Sequence, residues 1–402
     1  MRQNSAEYEL QPAARIQLKR KPNIGIVNSP IYSLNEGVFL DNHIRTLQPL
    51  CNEMFVITGN FPNRYGQRVH VLEIESGRRR SGRVSLATRI LGQITAQTKL
   101  TLRLRKIIVS LDVVLFDIGE YRNLLPLIFA RMLKRKTLVI HLGGNKFLES
   151  RFDNPSGWGR LIPPVQDIML RICYLTVDRI LCISQSIVKY GQLSRYKNKI
   201  LVYGGECVDT AQFVAKPPPS KRESVVGYAG RHTPKKGLLN LVRAIPLVLR
   251  ERRDVNFAIV GSGEQHAIIV REVEKQGVKE HVSFTPWIPD AEYPSFLNRL
   301  KIFVQPSYEE GLPVTLKEAM ASGAIVLATA VGGISDLVED DKTGFILRDN
   351  SPDCIAETII KTMENRHLDT IAANARSRIE TQCSYSAIEA NWRHILESTV
   401  QK

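Results

Sequence analysis

Short apolar runs rich in β-branched residues alternate along this chain with stretches whose apolar positions recur every three or four residues. The short runs predict strands at 23–27, 53–58, 69–72, 113–116, 137–141, 179–183 and 199–202. A second set follows at 224–228, 256–260, 281–284, 302–305, 325–329 and 344–347. Strand–helix alternation of this kind predicts an α/β fold with parallel sheets covered on both faces. Between the two sets stands Lys216-Pro217-Pro218-Pro219-Ser220, whose prolines favour a stiff, extended linker. The expected architecture is two Rossmann-like domains facing a cleft. A disordered tail at 1–22 precedes a first domain at 23–215, the linker at 216–220 and a second domain at 221–384. An amphipathic helix at 385–402 is expected to return to the first domain. Pro246, about ten residues into the helix that follows residue 237, predicts a kink or an early end there.

Composition narrows the class. With 402 residues, 43% hydrophobic and 24% charged, the chain has an ordinary globular make-up. Its most apolar stretch, 107–118, is broken by Asp112 and Asp117 and falls short of the roughly 20 apolar residues that span a bilayer. The first 21 residues are polar, with no apolar stretch behind a basic start, so they do not read as a signal peptide. Six cysteines (51, 173, 182, 207, 354 and 383) form no C-x-x-C pair, which indicates neither a disulfide framework nor a zinc site and fits a reducing cytoplasm.

Charge changes the picture more. Residues 1–220 carry 32 Lys and Arg against 16 Asp and Glu, whereas the rest carries 23 against 24. All of the excess positive charge lies in the first half, which points to an anionic partner there. In residues 78–106, the cluster Arg78, Arg79, Arg80 and Arg83 is followed by Arg89, Lys99, Arg103, Arg105 and Lys106 interleaved with apolar residues such as Leu91, Ile94, Leu100, Leu102 and Leu104. That pattern predicts a basic amphipathic helix on an anionic membrane surface, hence a cytoplasmic protein peripheral to the inner face of the cell membrane. A solvated basic face is the plainer alternative.

Three turns carry candidate chemistry. Gly230-Arg231-His232-Thr233-Pro234-Lys235-Lys236-Gly237 joins a predicted strand to a helix, where parallel sheets bind ligands, and its cations suit a diphosphate. Gly261-Ser262-Gly263 is the start of a dinucleotide-type turn, with His266 where a third glycine would fall. In residues 306–323, Pro313 suits the first turn of a helix and Gly323 the position just past its end. Glu310 then lies in the loop before the helix and Glu318 about two turns inside. The amides of Gly311, Leu312 and Val314 face any phosphate docked there. Taken alone, such a Glu pair is more often a cap and a surface residue.

Together and in order, G-R-x4-K-G, V-G-S-G, E-G-L-P-V-x-L-K-E-A-M-A-S-G, Val331-Gly332-Gly333 and Thr343-Gly344 resemble the family 4 retaining glycosyltransferases of the GT-B fold, densely over about 224–348. The resemblance implies a sugar transfer from a nucleotide-diphosphate donor, UDP or GDP, to a glycan or lipid-linked acceptor in polysaccharide or glycoconjugate synthesis. Glu310 and Glu318 fit the family's E-x7-E spacing, which implies that Glu310 contacts donor-sugar hydroxyls and Glu318 the ribose. Arg231 and Lys236 would neutralise the diphosphate. The base would be read by backbone around 261–263 and 287–288. Gly37, in Asn35-Glu36-Gly37-Val38, stands where the family has a Gly-Gly loop, and His141 matches a histidine beside the reacting sugar. Same-face attack within an ion pair would retain configuration without a protein nucleophile. No D-x-D occurs, so no metal or other cofactor is expected, and neither is nucleic acid. The alternative from another class is a non-catalytic membrane-surface or nucleic-acid binding protein on the same scaffold.

Overall fold

The computed structural model describes residues 20–31, 34–62, 64–74, 86–116, 120–141 and 162–400. The expected tail through residue 19 and the arginine cluster at 78–83 lie outside the described residues.

Two parallel sheets organise the chain. The first has seven strands, β1 (Ile24–Val27), β2 (Met54–Thr58), β3 (Val69–Glu73), β4 (Val113–Phe116), β5 (Lys136–His141), β6 (Arg179–Cys182) and β7 (Ile200–Val202), in the order β3-β2-β1-β4-β5-β6-β7. The second has six, β8 (Val225–Ala229), β9 (Asn256–Val260), β10 (Val282–Thr285), β11 (Ile302–Gln305), β12 (Ile325–Thr329) and β13 (Phe345–Leu347), in the order β10-β9-β8-β11-β12-β13. Every pairing in both sheets is parallel. All thirteen predicted strands form, with ends within a residue of expectation. The reason is burial on both faces: Ile26, Leu115, Ile140 and Leu181 enter one core, and Val27, Val114, Val139 and Ile180 enter another. Continuous β-branched runs are what such strands need.

Helices cover each sheet. On one face of the first sheet lie α2 (Leu86–Ile107), α3 (Leu124–Met132) and α4 (Ile162–Thr176), which bury Leu100 and Leu104, Leu127 and Ala130, and Leu170 and Cys173. The other face takes α1 (Leu34–Leu47), and α5 (Gln185–Tyr190) follows β6. The second sheet is covered on its outer face by α6 (Leu238–Glu251), α7 (His266–Lys275) and α11 (Pro352–Glu364). Toward the first domain lie α8 (Tyr293–Arg299), α9 (Val314–Ala321), the single turn α10 (Ile334–Leu337) and α12 (Leu368–Gln382).

The closing helix, α13 (Tyr385–Val400), crosses back to the first domain as expected, and its Trp392, Ile395 and Leu396 share a core with Leu40 and Ile44 of α1. Asn391 Nδ2 donates to the Tyr203 carbonyl at 3.1 Å. The way back is held by Val208 N, which donates to the Cys383 carbonyl at 2.8 Å.

Two expectations are corrected. Of the kink or early end expected at Pro246, the early end does not occur, since α6 runs on to Glu251. Leu241, Val242, Ala244, Ile245 and Val248 are all buried along it, and that packing offsets the one hydrogen bond a proline removes. In α2, Leu100 and Leu104 face the sheet and not a surface, whereas Leu91, Ile94 and Leu102 are exposed.

Candidate functional site

In an open parallel sheet, ligands collect outside the carboxyl ends of strands where the strand order reverses. In the second sheet that point lies between β8 and β11. The loops leaving these two strands, 230–237 and 306–313, are the ones that the sequence marked for chemistry.

Their contact is built from backbone. Tyr308 N donates to the Lys235 carbonyl at 2.8 Å. Gly237 adopts φ +67°, and a Cβ there would run into the Pro306 carbonyl oxygen, so only glycine lets the loops approach so closely. This seats Lys236, whose Nζ donates to both Glu310 oxygens at 2.6 and 2.8 Å. Gln305 Nε2 and Ser307 Oγ also donate to Glu310 Oε1, at 2.6 and 2.7 Å. The Glu310 and Lys236 side chains are only 6% and 16% exposed, so the pair is largely desolvated and removing either charge would leave the other uncompensated.

Beside this pair, the turn 261–263 interlocks with 230–232. Gly261 (φ +124°) abuts the Gly230 carbonyl oxygen, and a Cβ on Gly263 (φ +156°) would lie 2.6 Å from the His232 carbonyl oxygen. His232 N donates to the Ser262 carbonyl at 2.8 Å. The two glycines thus serve close packing of two ligand-side turns. His232 is buried, with its Nδ1 3.0 Å from Nδ1 of His266. Burial, and then the neighbouring imidazole, lower its pKa to about 4, so it is neutral at physiological pH. Arg231 is exposed and forms no ion pair among the described residues.

The third turn continues the site toward the first domain. Gly333 N donates to the Gly311 carbonyl at 2.7 Å, and Gly332 (φ +57°) presses on the Glu310 carbonyl. Helix α9 starts at Val314 with Pro313 at its N-cap, and Gly323 (φ +73°) follows its end. The amides of Leu312 and Val314 have no acceptor among the described residues, as the first amides of a helix do not. Glu318 lies on α9 with part of its surface accessible, yet burial raises its carboxyl to about 8, with Asp290 and Glu206 adding to the rise and Lys317 opposing it. Tyr293 is raised well above its ordinary value, by burial first and then by Glu318.

The structure therefore brings Lys236, Glu310, Gly311 and Leu312 together, and sets Gly261 and Gly263 against the turn that carries Arg231. Val314 and Glu318 follow on α9. Two residues differ in standing. Gly37 lies in the first turn of α1 and not in a loop, with room beside it, since the nearest atom to an added Cβ is Ile31 Cγ2 at 3.9 Å. His141 closes β5, paired with Cys182 of β6, but its side chain lies outside the described residues, as do residues 142–144. The side chains of Asn35 and Glu36 also lie outside them.

Three residues were missed. Gln305 and Ser307 hold Glu310, and the signal was a glutamine closing an otherwise apolar strand. Lys317, fully buried on α9, donates to the Glu206 carbonyl across the domain boundary. A second link spans the same boundary: Ser186 N and Oγ, at the start of α5, donate to Asp336 of α10 at 2.7 and 2.5 Å. Among the described residues, no group of three His, Cys, Asp or Glu could hold a metal ion.

With the geometry in hand, similarity to known proteins can be placed on it. The family model described as "Glycosyl transferases group 1" matches residues 209–378, which hold all three turns. A 2-deoxystreptamine glucosyltransferase of Streptomyces kanamyceticus is 33% identical over 120 residues, 30% of this chain and 31% of that protein. A GDP-mannose-dependent alpha-(1-6)-phosphatidylinositol monomannoside mannosyltransferase of Mycolicibacterium smegmatis is 29% identical over 238 residues, 55% of this chain and 62% of that protein. The matched part of the chain thus spans between about a third and two thirds of these relatives' lengths. The crystal structure of Anabaena HepE in complex with UDP matches 94% of this chain and 100% of its own, with a TM-score of 0.70 and 16% identity. That likeness concerns the fold, two Rossmann-like domains in the GT-B arrangement.

Proposed function

We propose that the protein is a retaining, metal-independent glycosyltransferase that moves a sugar from a nucleotide-diphosphate donor to a glycan or lipid-linked acceptor. The observation that carries this reading is the desolvated Lys236–Glu310 pair at the strand-order reversal, beside the exposed Arg231. The match of residues 209–378 to a glycosyltransferase family model supports it, as do the two relatives that transfer glucose or mannose.

Breaking a sugar–phosphate bond loads negative charge on the leaving diphosphate. Arg231, Lys236 and the first amides of α9 would meet that charge, and preorganised donors of this kind lower such barriers by several kcal/mol. With phosphate bound, Lys236 has two anionic partners, and Glu310 keeps the hydrogen bonds of Gln305 and Ser307 while its second oxygen turns to sugar hydroxyls. Glu318 takes the ribose hydroxyls. Cations and amides supply the electrostatics that a divalent ion supplies elsewhere, which is the basis for metal independence. Retention follows from the family resemblance, with the leaving phosphate accepting the acceptor's proton. UDP and GDP are the two donor nucleotides favoured, since one similar structure holds UDP and one relative uses GDP-mannose. The six cysteines, all buried free thiols, suit a reducing compartment such as the cytoplasm.

Thermal shift against UDP, GDP and ADP, each with EDTA and with magnesium, tests the donor site. A ligand at 100 times its dissociation constant stabilises by about 2.7 kcal/mol. The expected result is a shift from one nucleotide that survives EDTA and disappears in Glu318→Ala. A cooperative melt that no nucleotide moves would overturn the reading in favour of a non-catalytic binding protein. NMR of the product's anomeric configuration tests retention, and an inverted product would end that part of the proposal.

A further inference from the structure

The helix layer α2–α3–α4 is apolar on both sides. Its inner stripes bury Leu100, Leu104, Leu127, Leu170 and Cys173 against the first sheet. Its outer stripes repeat at helical spacing: Leu91, Ile94 and Leu102 on α2, Leu125, Ile128 and Met132 on α3, and Ile168, Ile172 and Leu175 on α4. Exposure is highest at one end of each stripe, 65% at Leu91, 75% at Met132 and 68% at Leu175, and is 50%, 37% and 41% at the central Ile94, Ile128 and Ile172. The helices adjoin one another: Leu125 N donates to Gln97 Oε1 at 2.9 Å, and α3 and α4 share one core. An outer helix of a globular domain ordinarily turns a polar face to water, so three neighbouring apolar stripes mark an interaction surface.

Charge identifies the partner. The three helices contain a single acidic residue, Asp167, and it is ion-paired to Arg171 within α4 at 2.8 Å. Exposed Arg103, Arg105 and Lys106 lie along α2, where with Lys99, Leu102 and Ile74 they line a groove of about 660 Å³, and exposed Lys134 follows α3. A second copy of this chain meeting it face to face would bring the same positive charge to the contact and be repelled. An anionic lipid surface satisfies both features at once, taking apolar side chains at the headgroup boundary and cations beside phosphates.

We propose that the outer faces of α2, α3 and α4 form one surface that docks on an anionic membrane. The surface is wider than the basic helix read from sequence, and it includes α3 and α4, which no charge pattern marked. No helix among the described residues is long and apolar enough to cross a membrane, so the contact is interfacial. This inference stands independently of the proposed donor chemistry.

Vesicle co-sedimentation of the full chain tests it, using phosphatidylcholine alone and phosphatidylcholine with phosphatidylglycerol. Wild type is expected to bind the mixed vesicles and not the neutral ones, with binding falling as salt rises. Ile94→Gln/Met132→Gln/Leu175→Gln is expected to partition roughly tenfold or more weakly at the same salt, and Arg103→Glu/Arg105→Glu/Lys106→Glu to lose the salt dependence. An unchanged melting temperature identifies both variants as folded, since all six positions are exposed. The proposal fails if wild type ignores anionic vesicles, or if the glutamine variant binds as wild type does. It also fails if wild type sediments as a dimer that the glutamine variant dissociates, which would assign the face to a second copy.

Discussion

The two domains share one topology and differ in what their surfaces do. Helices α6, α7 and α11, which cover the outer face of the second sheet, carry Glu251, Glu272, Glu274, Asp353, Glu357 and Glu364, and among their described residues Ile268 is the one large hydrophobic that is exposed. Helices α2, α3 and α4 hold one acid and, among their described residues, nine exposed large apolar ones. Away from these faces, both domains hold charge in networks. The second domain presents a closed network of charge and hydrogen bonds around Glu310, while the first domain gathers Arg45, Arg64 and Tyr65 around Asp41 of α1. A parallel sheet covered by helices leaves its outer helix faces and its carboxyl-end loops free to vary, and here the described loops of the second domain carry the charged network while the outer helix faces of the first carry exposed apolar stripes.

The comparison can be broken most severely by damage to one domain alone. Trp392→Ala removes a buried indole shared by α13 and α1 and should cost about 3–5 kcal/mol. The first domain is expected to melt earlier in calorimetry, while the nucleotide-dependent transition of the second persists. If both transitions moved together, the domains would not be separable in this way.

Next in size is the reverse lesion. Lys236→Met leaves Glu310 buried without its cation, and the sugar-transfer rate should fall roughly a hundredfold or more. Vesicle binding should stay unchanged, because it belongs to the other domain.

Acidity sharpens the picture further. Glu318, with its carboxyl at about 8, is mostly protonated at pH 7, and nucleotide affinity that depends on its carboxylate should rise roughly tenfold between pH 7 and 9. Glu318→Gln should flatten that profile in calorimetric titrations. The stability contribution has the opposite slope. The folded state holds this proton more tightly than the unfolded, so stability declines as pH rises from about 4.5 toward 8. His232 behaves conversely: its pKa is lowered from 6.5 to about 4, so stability is lost as pH falls through that window.

The smallest effect expected is at the boundary. Asp336→Asn removes the carboxylate that holds the first turn of α5 and should cost about 0.5–1 kcal/mol, read as a small drop in the unfolding midpoint.

Much of the architecture was legible because each strand here carries its own burial in its composition. The turns at 230–237, 261–263 and 306–323 were legible through glycine, proline and charge. What could not be read was contact between distant segments. That Gln305 and Ser307 would converge on Glu310, that Lys317 would reach Glu206 or that Ser186 would meet Asp336 depends on how loops meet in space, which no local pattern encodes. The early end allowed for at Pro246 failed for the same reason, since the packing of α6 overrode a local preference. The outer stripes of α3 and α4 escaped notice because an apolar helix reads the same whether its second face is covered or bare.

The return of α13 to the first domain also fixes an order of events during synthesis. A ribosome releases residues 225–382, which contain the entire second sheet and its helices, before it releases Trp392, Ile395 and Leu396. Until α13 docks, Leu40 and Ile44 of α1 lack the apolar partners that complete their core. A released chain cut short near residue 384 would keep the whole second sheet and its helices and leave an open seam at α1 in the first domain.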